Sequence, residues 1–130
     1  MKILLSVKPE YIDKIFDGLK TFEYRRKLPQ KTISSIVLYA TDPVQRIVGE
    51  VEVIGTISAS PTALWEQTKH SAGISRAKYR DYFNKRKKAN AFILGKVTRY
   101  QSPKALSDYK ISSAPQSFQY LFSAENSSTL

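Results

Sequence analysis

The β-forming run at residues 47–57 restricts the fold of this chain more than any other segment. Its valines and isoleucines predict one long strand, in which the apolar alternation slips between Val53 and Ile54. Gly49 and Gly55 predict a bulge or a close approach of neighbouring backbone. A strand this long in a 130-residue chain usually bends across two sides of a barrel. The segment therefore favours a small barrel over a flat open sheet.

The remaining elements are short and show no regular alternation of strand and helix. Further strands are predicted at residues 3–7, 20–26, 36–40 and 90–100, and a terminal turn or short helix at residues 115–121. Helices are predicted to begin at Pro9, Pro61 and Arg76; the first ends at Gly18 and the third runs to Lys85. The fold class predicted is α+β, a small mixed β-barrel with short peripheral helices. Residues 1–122 are predicted to form one domain and residues 123–130 a loose tail.

The excess of basic residues points to a polyanionic partner. Lysine and arginine number 21 against 11 acidic residues, which gives a net charge of +10 and a pI near 9.8. Solubility alone needs a smaller excess, so RNA or DNA is the simplest partner. An anionic membrane surface is disfavoured because no basic amphipathic stretch carries a broad apolar side.

Composition also excludes several kinds of site. The chain has no cysteine, which rules out a disulfide scaffold, a thiolate metal site and a cysteine nucleophile. Its single histidine, His70, lacks ligand partners at metal-binding spacing, so we expect neither a metal nor a cofactor. No apolar run approaches the ~20 residues that span a bilayer, and the N-terminal run is too short for a signal peptide. We therefore expect a cytoplasmic protein.

The segment at residues 18–26 concentrates charge just after a glycine turn. On a strand, Glu23 and Arg25 point to one side, whereas Phe22 and Tyr24 point to the other. Lys20 and Arg25 could hold a phosphate, and Glu23 could orient Arg25 or act as a general base. The alternative is a half-buried strand with an unremarkable surface ion pair. With Arg26 beside them, these residues are the first candidate site.

A dense basic run is the second candidate. Seven basic residues fall between positions 76 and 88, opposed only by Asp81. They could complement a helix dipole and aid solubility, but such a run more readily follows a nucleic-acid backbone. The residues we assign to backbone binding are Arg76, Lys85, Arg86, Lys87 and Lys88.

Aromatic residues accompany both candidates. Trp65, the only tryptophan, is predicted to be a packing anchor or a stacking surface for a base. Tyr24 and Tyr39 are, with Trp65, candidate cleft walls. Tyr79, Tyr82 and Phe83 have helical spacing, which predicts core positions rather than stacking platforms.

The order of short motifs along the chain carries a family resemblance. Gly18, Lys20, Glu23 and Arg25 form a G-x-K-x-x-E-x-R pattern. A strand and a helix start at residues 8–11 precede it, and segments at residues 38–40, 48–51, 64–65, 72–75 and 115–118 follow. Over about residues 1–121, this arrangement resembles the ASCH domain, a member of the PUA-like superfamily of small β-barrels.

The resemblance implies a barrel whose cleft is lined partly by the motif strand, and a role in binding RNA in translation or transcription. Some relatives are ribonucleases, and one branch looks like an amidohydrolase acting on acetylated cytidine. That branch uses the motif lysine, a threonine three residues later and a distant glutamate. Lys20 matches the lysine, but Glu23 stands at the threonine position, and Glu66 is the only glutamate available at an uncertain register. This departure argues against the amidohydrolase activity.

Three hypotheses follow for the function. The first is an RNA-binding domain that holds single-stranded or structured RNA, or a free nucleotide or nucleoside, in a basic cleft. The second is a small hydrolase that uses the same cleft, with Lys20 and Glu23 as catalytic residues. The third is an interaction module whose basic face meets an acidic protein. Substitution of Lys20 or Glu23 separates the first two, because an enzyme loses turnover while retaining most of its binding.

Overall fold

The computed structural model describes residues 1–122, and the predicted tail at residues 123–130 lies outside them. Its strands are β1 (Lys2–Val7), β2 (Phe22–Arg25), β3 (Ser35–Ala40), β4 (Arg46–Ala59), β5 (Ala89–Lys104) and β6 (Phe118–Leu121). Its α-helices are α1 (Pro9–Phe16), α2 (Pro61–Thr68) and α3 (Arg76–Tyr82), with short 3₁₀ turns at Lys69–Ser71 and Leu106–Tyr109. Within residues 1–122, no helix is long and apolar enough to cross a membrane.

The six strands form one sheet in the order β2-β5-β4-β3-β1-β6. Only β1 and β3 run parallel; every other neighbouring pair is antiparallel. The sheet curls into a half-barrel whose edges are β2 and β6. The predicted α+β class, a small mixed barrel with short peripheral helices, is confirmed.

The long strand β4 has the irregularity that its sequence predicts. Its pairing with β5 shifts register between Val53 and Gly55, where the apolar alternation slips, and also at two earlier points. Such shifts increase the local twist and let one strand follow a curved sheet. Both β4 and β5 extend beyond their predicted ends, to Ala59 and Lys104.

Two apolar clusters support the region around the motif strand. Inside the sheet, Leu5, Ile15, Leu38 and Phe92 are almost completely buried and anchor α1. A second cluster packs α2 and α3 against β2 and β5; it contains Phe22, Tyr24, Leu64, Tyr79, Phe83 and Ala91. The three helices are therefore fixed on the sheet, and the charged side chains of the motif lie between α1 and α3.

Two predicted elements are wrong. Residues 115–121 contain β6 rather than a turn or short helix, because Phe118–Leu121 pairs antiparallel with β1. Helix α3 ends at Tyr82 instead of Lys85: the amide of Arg86 donates to the carbonyl of Phe83, and Lys85 adopts φ 62°. A left-handed residue cannot continue an α-helix, so the chain turns there.

Ser75 is the N-cap of α3, and its replacement by alanine is expected to cost about 1 kcal/mol of folding stability. Its hydroxyl accepts a hydrogen bond from the amide of Lys78 at 3.2 Å, which satisfies one of the free donors of the first turn. Urea denaturation of Ser75→Ala measures this cost. Ser102→Ala, at an exposed position on β5, is the control, and equal losses in the two variants would contradict the capping role.

Candidate nucleic-acid interface

A cleft of about 500 Å³ lies between the end of β1, the start of α1, strand β2 and helix α3. Lys20, Glu23 and Arg25 lie in it, and we call these three residues the floor triad. Around them are the side chains of Lys8, Tyr11, Arg26, Lys78, Asp81 and Tyr82, which we call the rim. Binding sites for small ligands typically have volumes of about 300–1,000 Å³, so this cleft has the size for one nucleotide.

Lys20 is the most deeply buried cation of the floor triad, with only 3% of the residue exposed. Its ammonium donates to the carbonyl oxygen of Ala72 at 2.8 Å and lies 3.9 Å from Oε1 of Glu23. The rings of Tyr24 and Tyr11 are 4.9 and 5.4 Å from the same nitrogen. One carboxylate, one carbonyl and two aromatic faces therefore replace the water that the ammonium loses.

Burial lowers the pKa of Lys20 below the ordinary lysine value. The negative charge of Glu23 opposes that effect, whereas the positive charges of Arg25 and Lys14 add to it. A lysine with a lowered pKa can give up and recover a proton more readily than one at the surface. The cleft therefore contains a group suited to proton transfer as well as to binding.

Glu23 and Arg25 form the second contact of the floor triad. Nη2 of Arg25 is 2.8 Å from Oε2 of Glu23 and also donates to the carbonyl of Ser6 at 3.2 Å. Nε of Arg25 is buried and has no acceptor among residues 1–122. Buried donors are almost always paired, so this Nε is an uncompensated polar atom of the floor triad.

The turn after α1 brings Lys20 to the same side as Glu23. On a strict strand these two residues would point to opposite faces, but β2 begins only at Phe22. Gly18 has φ +77°, and the amides of Leu19 and Lys20 both donate to the carbonyl of Lys14. The chain therefore winds around the end of α1, and Lys20 enters the cleft from outside the strand.

The rim supplies most of the accessible positive charge of the cleft. The guanidinium of Arg26 stacks 4.3 Å from the ring centre of Tyr82, and its Nε donates to the Tyr82 carbonyl. Lys8 and Lys78 are exposed, whereas Asp81 is the one exposed carboxylate of the rim. Phosphate oxygens could contact these exposed cations directly.

Sequence reasoning missed part of this rim. Tyr82, predicted to lie in the core with Tyr79 and Phe83, is only half-buried and borders the cleft. Lys8 and Tyr11 belong to the predicted helix start at residues 8–11, which directly follows β1 and borders the cleft together with the motif residues. The sequence signal for these two residues is that they directly follow the predicted strand at residues 3–7, whose end borders the cleft.

Arg26 lies on the rim as predicted beside the motif, whereas the structure separates the remaining predicted site residues from the floor triad. Trp65, Arg76, Lys85 and Arg86 line a second depression of about 350 Å³. Lys87 and Lys88 are exposed and line neither cavity.

Of the predicted cleft walls, only Tyr24 lines the cleft. The prediction is wrong for Trp65, which borders the second depression, and for Tyr39, which is buried with Leu4, Val37 and Ile47. Glu66 is exposed, pairs with Lys69 at 2.8 Å and lies outside the cleft.

A family model described as the ASCH domain matches residues 5–98 of this chain. A protein of Zymomonas mobilis named ASCH domain-containing ribonuclease is 36% identical over 92 residues, which is 70% of this chain. The solved structure of ASCH from Zymomonas mobilis is 31% identical and superposes with a TM-score of 0.88. That superposition covers 98% of this chain and 92% of the other.

Some similar proteins are much longer than this chain. ATP synthase subunit alpha of Ureaplasma parvum is 31% identical over 120 residues, but the matched region is 15% of its length. The match to the Zymomonas mobilis ribonuclease covers 62% of that protein. The similarity therefore concerns one domain-sized unit.

Proposed function

This chain belongs to the ASCH domain family, and we propose that it binds single-stranded RNA by taking one nucleotide into the cleft. The observation that carries this proposal is the buried floor triad, Lys20, Glu23 and Arg25, inside a nucleotide-sized cavity with exposed cations at its rim. The resemblance of the chain to a protein named as a ribonuclease supports RNA as the ligand.

The two parts of the cleft have different tasks in this proposal. The floor triad binds the base or sugar, because Glu23 accepts hydrogen bonds and the partly exposed guanidinium of Arg25 donates them. The rim cations Lys8, Arg26 and Lys78 hold the flanking phosphates, where the aqueous surroundings make each contact weaker and dependent on salt. The tyrosine rings of the rim offer stacking surfaces to an unpaired base.

A second candidate function, RNA cleavage in the same cleft, is favoured by one specific observation. Lys20 has a lowered pKa and lies 3.9 Å from Glu23, which places a proton donor and a proton acceptor side by side. One of them could take the proton of a ribose 2′-hydroxyl while the other protonates the leaving oxygen. A positioned acid or base contributes about 10²- to 10⁴-fold to a rate, so its loss is easy to detect.

One experiment distinguishes the two functions. A labelled single-stranded RNA pool is incubated with the parent protein or Lys20→Met at two salt concentrations; filter retention and chain length on a denaturing gel are read together. Salt-sensitive retention of intact RNA supports binding alone. If the parent shortens the RNA, and Lys20→Met retains the RNA on the filter without shortening it, the result supports cleavage. Neither retention nor shortening contradicts the proposal and directs the search to free modified nucleosides or an acidic protein.

The basic segment at residues 85–88 is proposed to hold the RNA backbone outside the cleft. Charge reversal of these four residues is expected to weaken RNA binding by more than tenfold, because each contact to single-stranded phosphate contributes roughly 0.7 to the slope of log K against log salt. Binding isotherms at several salt concentrations measure both quantities. Reversal of four exposed cations elsewhere, Lys96, Arg99, Lys104 and Lys110, is the charge-matched control. An unchanged slope would remove the segment from the interface.

A further inference from the structure

The second depression lies on the other side of helix α3 from the cleft. Lys78, Asp81 and Tyr82 face the cleft, whereas Arg76, Arg80 and Phe83 border the depression. This division follows the helical period, in which residues three or four positions apart share one face. Helix α3 is therefore a ridge between two concave sites, and an α-helix with its side chains is about 10–12 Å across.

From this arrangement we propose that the depression is a subsite for a further unpaired nucleotide of the same RNA strand, with its base stacked on Trp65. The inference rests on the proposed function and deepens it, because it gives the ligand a minimum length and a path. At about 3.4 Å per stacked nucleotide, the width of the ridge corresponds to roughly three nucleotides. A strand that fills both sites therefore crosses α3.

The charge of the depression fits a phosphate backbone better than the charge of the cleft does. Its lining contains four cations, Arg76, Arg80, Lys85 and Arg86, and no carboxylate among the described residues. The cleft, by contrast, includes Glu23 and Asp81. The turn that ends α3 at Tyr82 brings Lys85 and Arg86 back to the depression, because the Arg86 amide donates to the Phe83 carbonyl.

Trp65 is held in a fixed position at the side of the depression. Its ring centre is 4.8 Å from that of Tyr79, which in turn lies 4.9 Å from the ring of Phe83. The hydroxyl of Tyr79 donates to the carbonyl of Pro61 at 2.7 Å and so ties the aromatic stack to the start of α2. Trp65 is half-buried and keeps part of its side chain accessible. A supported, partly accessible indole is a preorganised surface for an unpaired base.

These features select single strands over duplexes. A base can stack on Trp65 only when it is unpaired and turned towards the protein, which an A-form helix does not allow. The arginine guanidinium groups can bind the phosphates on either side of that base in a bidentate manner.

Because Trp65 is the only tryptophan, its fluorescence reports on this subsite directly. Uridine monophosphate and an eight-nucleotide oligouridylate are titrated into the parent, Arg76→Ala/Arg80→Ala and Glu23→Gln proteins, at a temperature at which urea denaturation shows that each variant is folded. The control Lys96→Ala/Lys104→Ala removes two exposed cations outside both cavities. The octamer is expected to quench the parent and the control strongly, whereas the mononucleotide, which fills the cleft, leaves the fluorescence nearly unchanged.

The double arginine variant is expected to bind the octamer at least tenfold more weakly, with a salt slope lower by about 1.4, and to bind the mononucleotide as the parent does. Suppose that octamer binding depends on Glu23, produces no quenching and is unaffected by the arginine changes. That result overturns the subsite and leaves the proposed function standing. Quenching that depends on the arginines but not on Glu23 keeps the subsite and overturns the role of the cleft. Absence of octamer binding overturns both.

Discussion

Glu23→Gln is expected to lower the free energy of unfolding by about 3 to 5 kcal/mol at neutral pH, the usual cost of breaking a buried ion pair from one side. Glu23 is the counter-ion of two cations, and the side chains of Lys20, Glu23 and Arg25 are only 3, 9 and 15% exposed. Glutamine preserves the shape of the side chain but removes its charge. Lys20 and Arg25 then remain buried without a negative counter-charge, with only carbonyl oxygens and aromatic faces beside them.

The loss should shrink as the pH rises, because Lys20 can release its proton whereas Arg25 cannot. Glu23 raises the pKa of Lys20, so its removal lowers further a pKa that burial already depresses. In this case the unfolded chain binds more protons than the folded one, and stability increases with pH up to the ordinary lysine value of 10.5. Raised pKa values of buried tyrosines have the opposite effect only above about pH 10, so they do not affect denaturation measured below that pH.

Urea denaturation of the parent and the variant between pH 6 and 9.5 measures this difference. Glu66→Gln is the matched control, because Glu66 also pairs with a lysine three residues away, at 2.8 Å, but both side chains are about half exposed. Its unfolding midpoint should not change measurably. The double variant Lys20→Met/Glu23→Gln should recover part of the lost stability, since the uncompensated ammonium is gone. A small loss in Glu23→Gln that is constant with pH would contradict the buried-pair description.

Gly73→Ala is the second large effect, with an expected loss of about 2 to 5 kcal/mol. Gly73 has φ +64°, a conformation that costs an alanine about 1–2 kcal/mol. An added Cβ would also overlap Cβ of Lys20 and lie 2.7 Å from its Cγ. Lys20 cannot move away freely, because its ammonium is bound to the carbonyl of Ala72. The overlap therefore adds an overpacking cost of about 1–3 kcal/mol.

Gly18→Ala separates the backbone cost from the steric cost. Gly18 has a similar φ of +77°, but a Cβ at that position would meet no atom within 4 Å. We expect a loss of only about 1–2 kcal/mol there. Denaturation curves of both variants, together with RNA retention on filters, test the prediction. Gly73→Ala should also weaken RNA binding, because it displaces Lys20; equal stability losses in the two variants would show that Gly73 does not pack against Lys20.

The local features of the fold were predictable from sequence because they depend on neighbouring residues. Ser60 and Ser75 accept hydrogen bonds from first-turn amides, as their positions before α2 and α3 predict. The slip at Val53 corresponds to a register shift. The sequence does not indicate that residues 118–121 form a strand. Their partner β1 begins at residue 2, and pairing between segments so far apart in the chain leaves no local pattern. The predicted end of α3 is wrong because helix propensity does not indicate that Lys85 adopts a left-handed conformation.

The sequence by itself determined the class of the fold, the family resemblance, the basic character of the chain and the position of the charged motif at residues 18–26. Only the tertiary structure decided that Lys20 is buried beneath the loop at residues 71–73 and that Glu23 pairs with both Lys20 and Arg25. It also decided that Trp65 lies on the other side of α3 from these three residues. The physical reason is that propensity and hydrophobic period are properties of a short segment. The burial of Lys20, and the pKa that results from it, depend on residues about 50 positions away, such as Ala72, which the fold brings into contact with it.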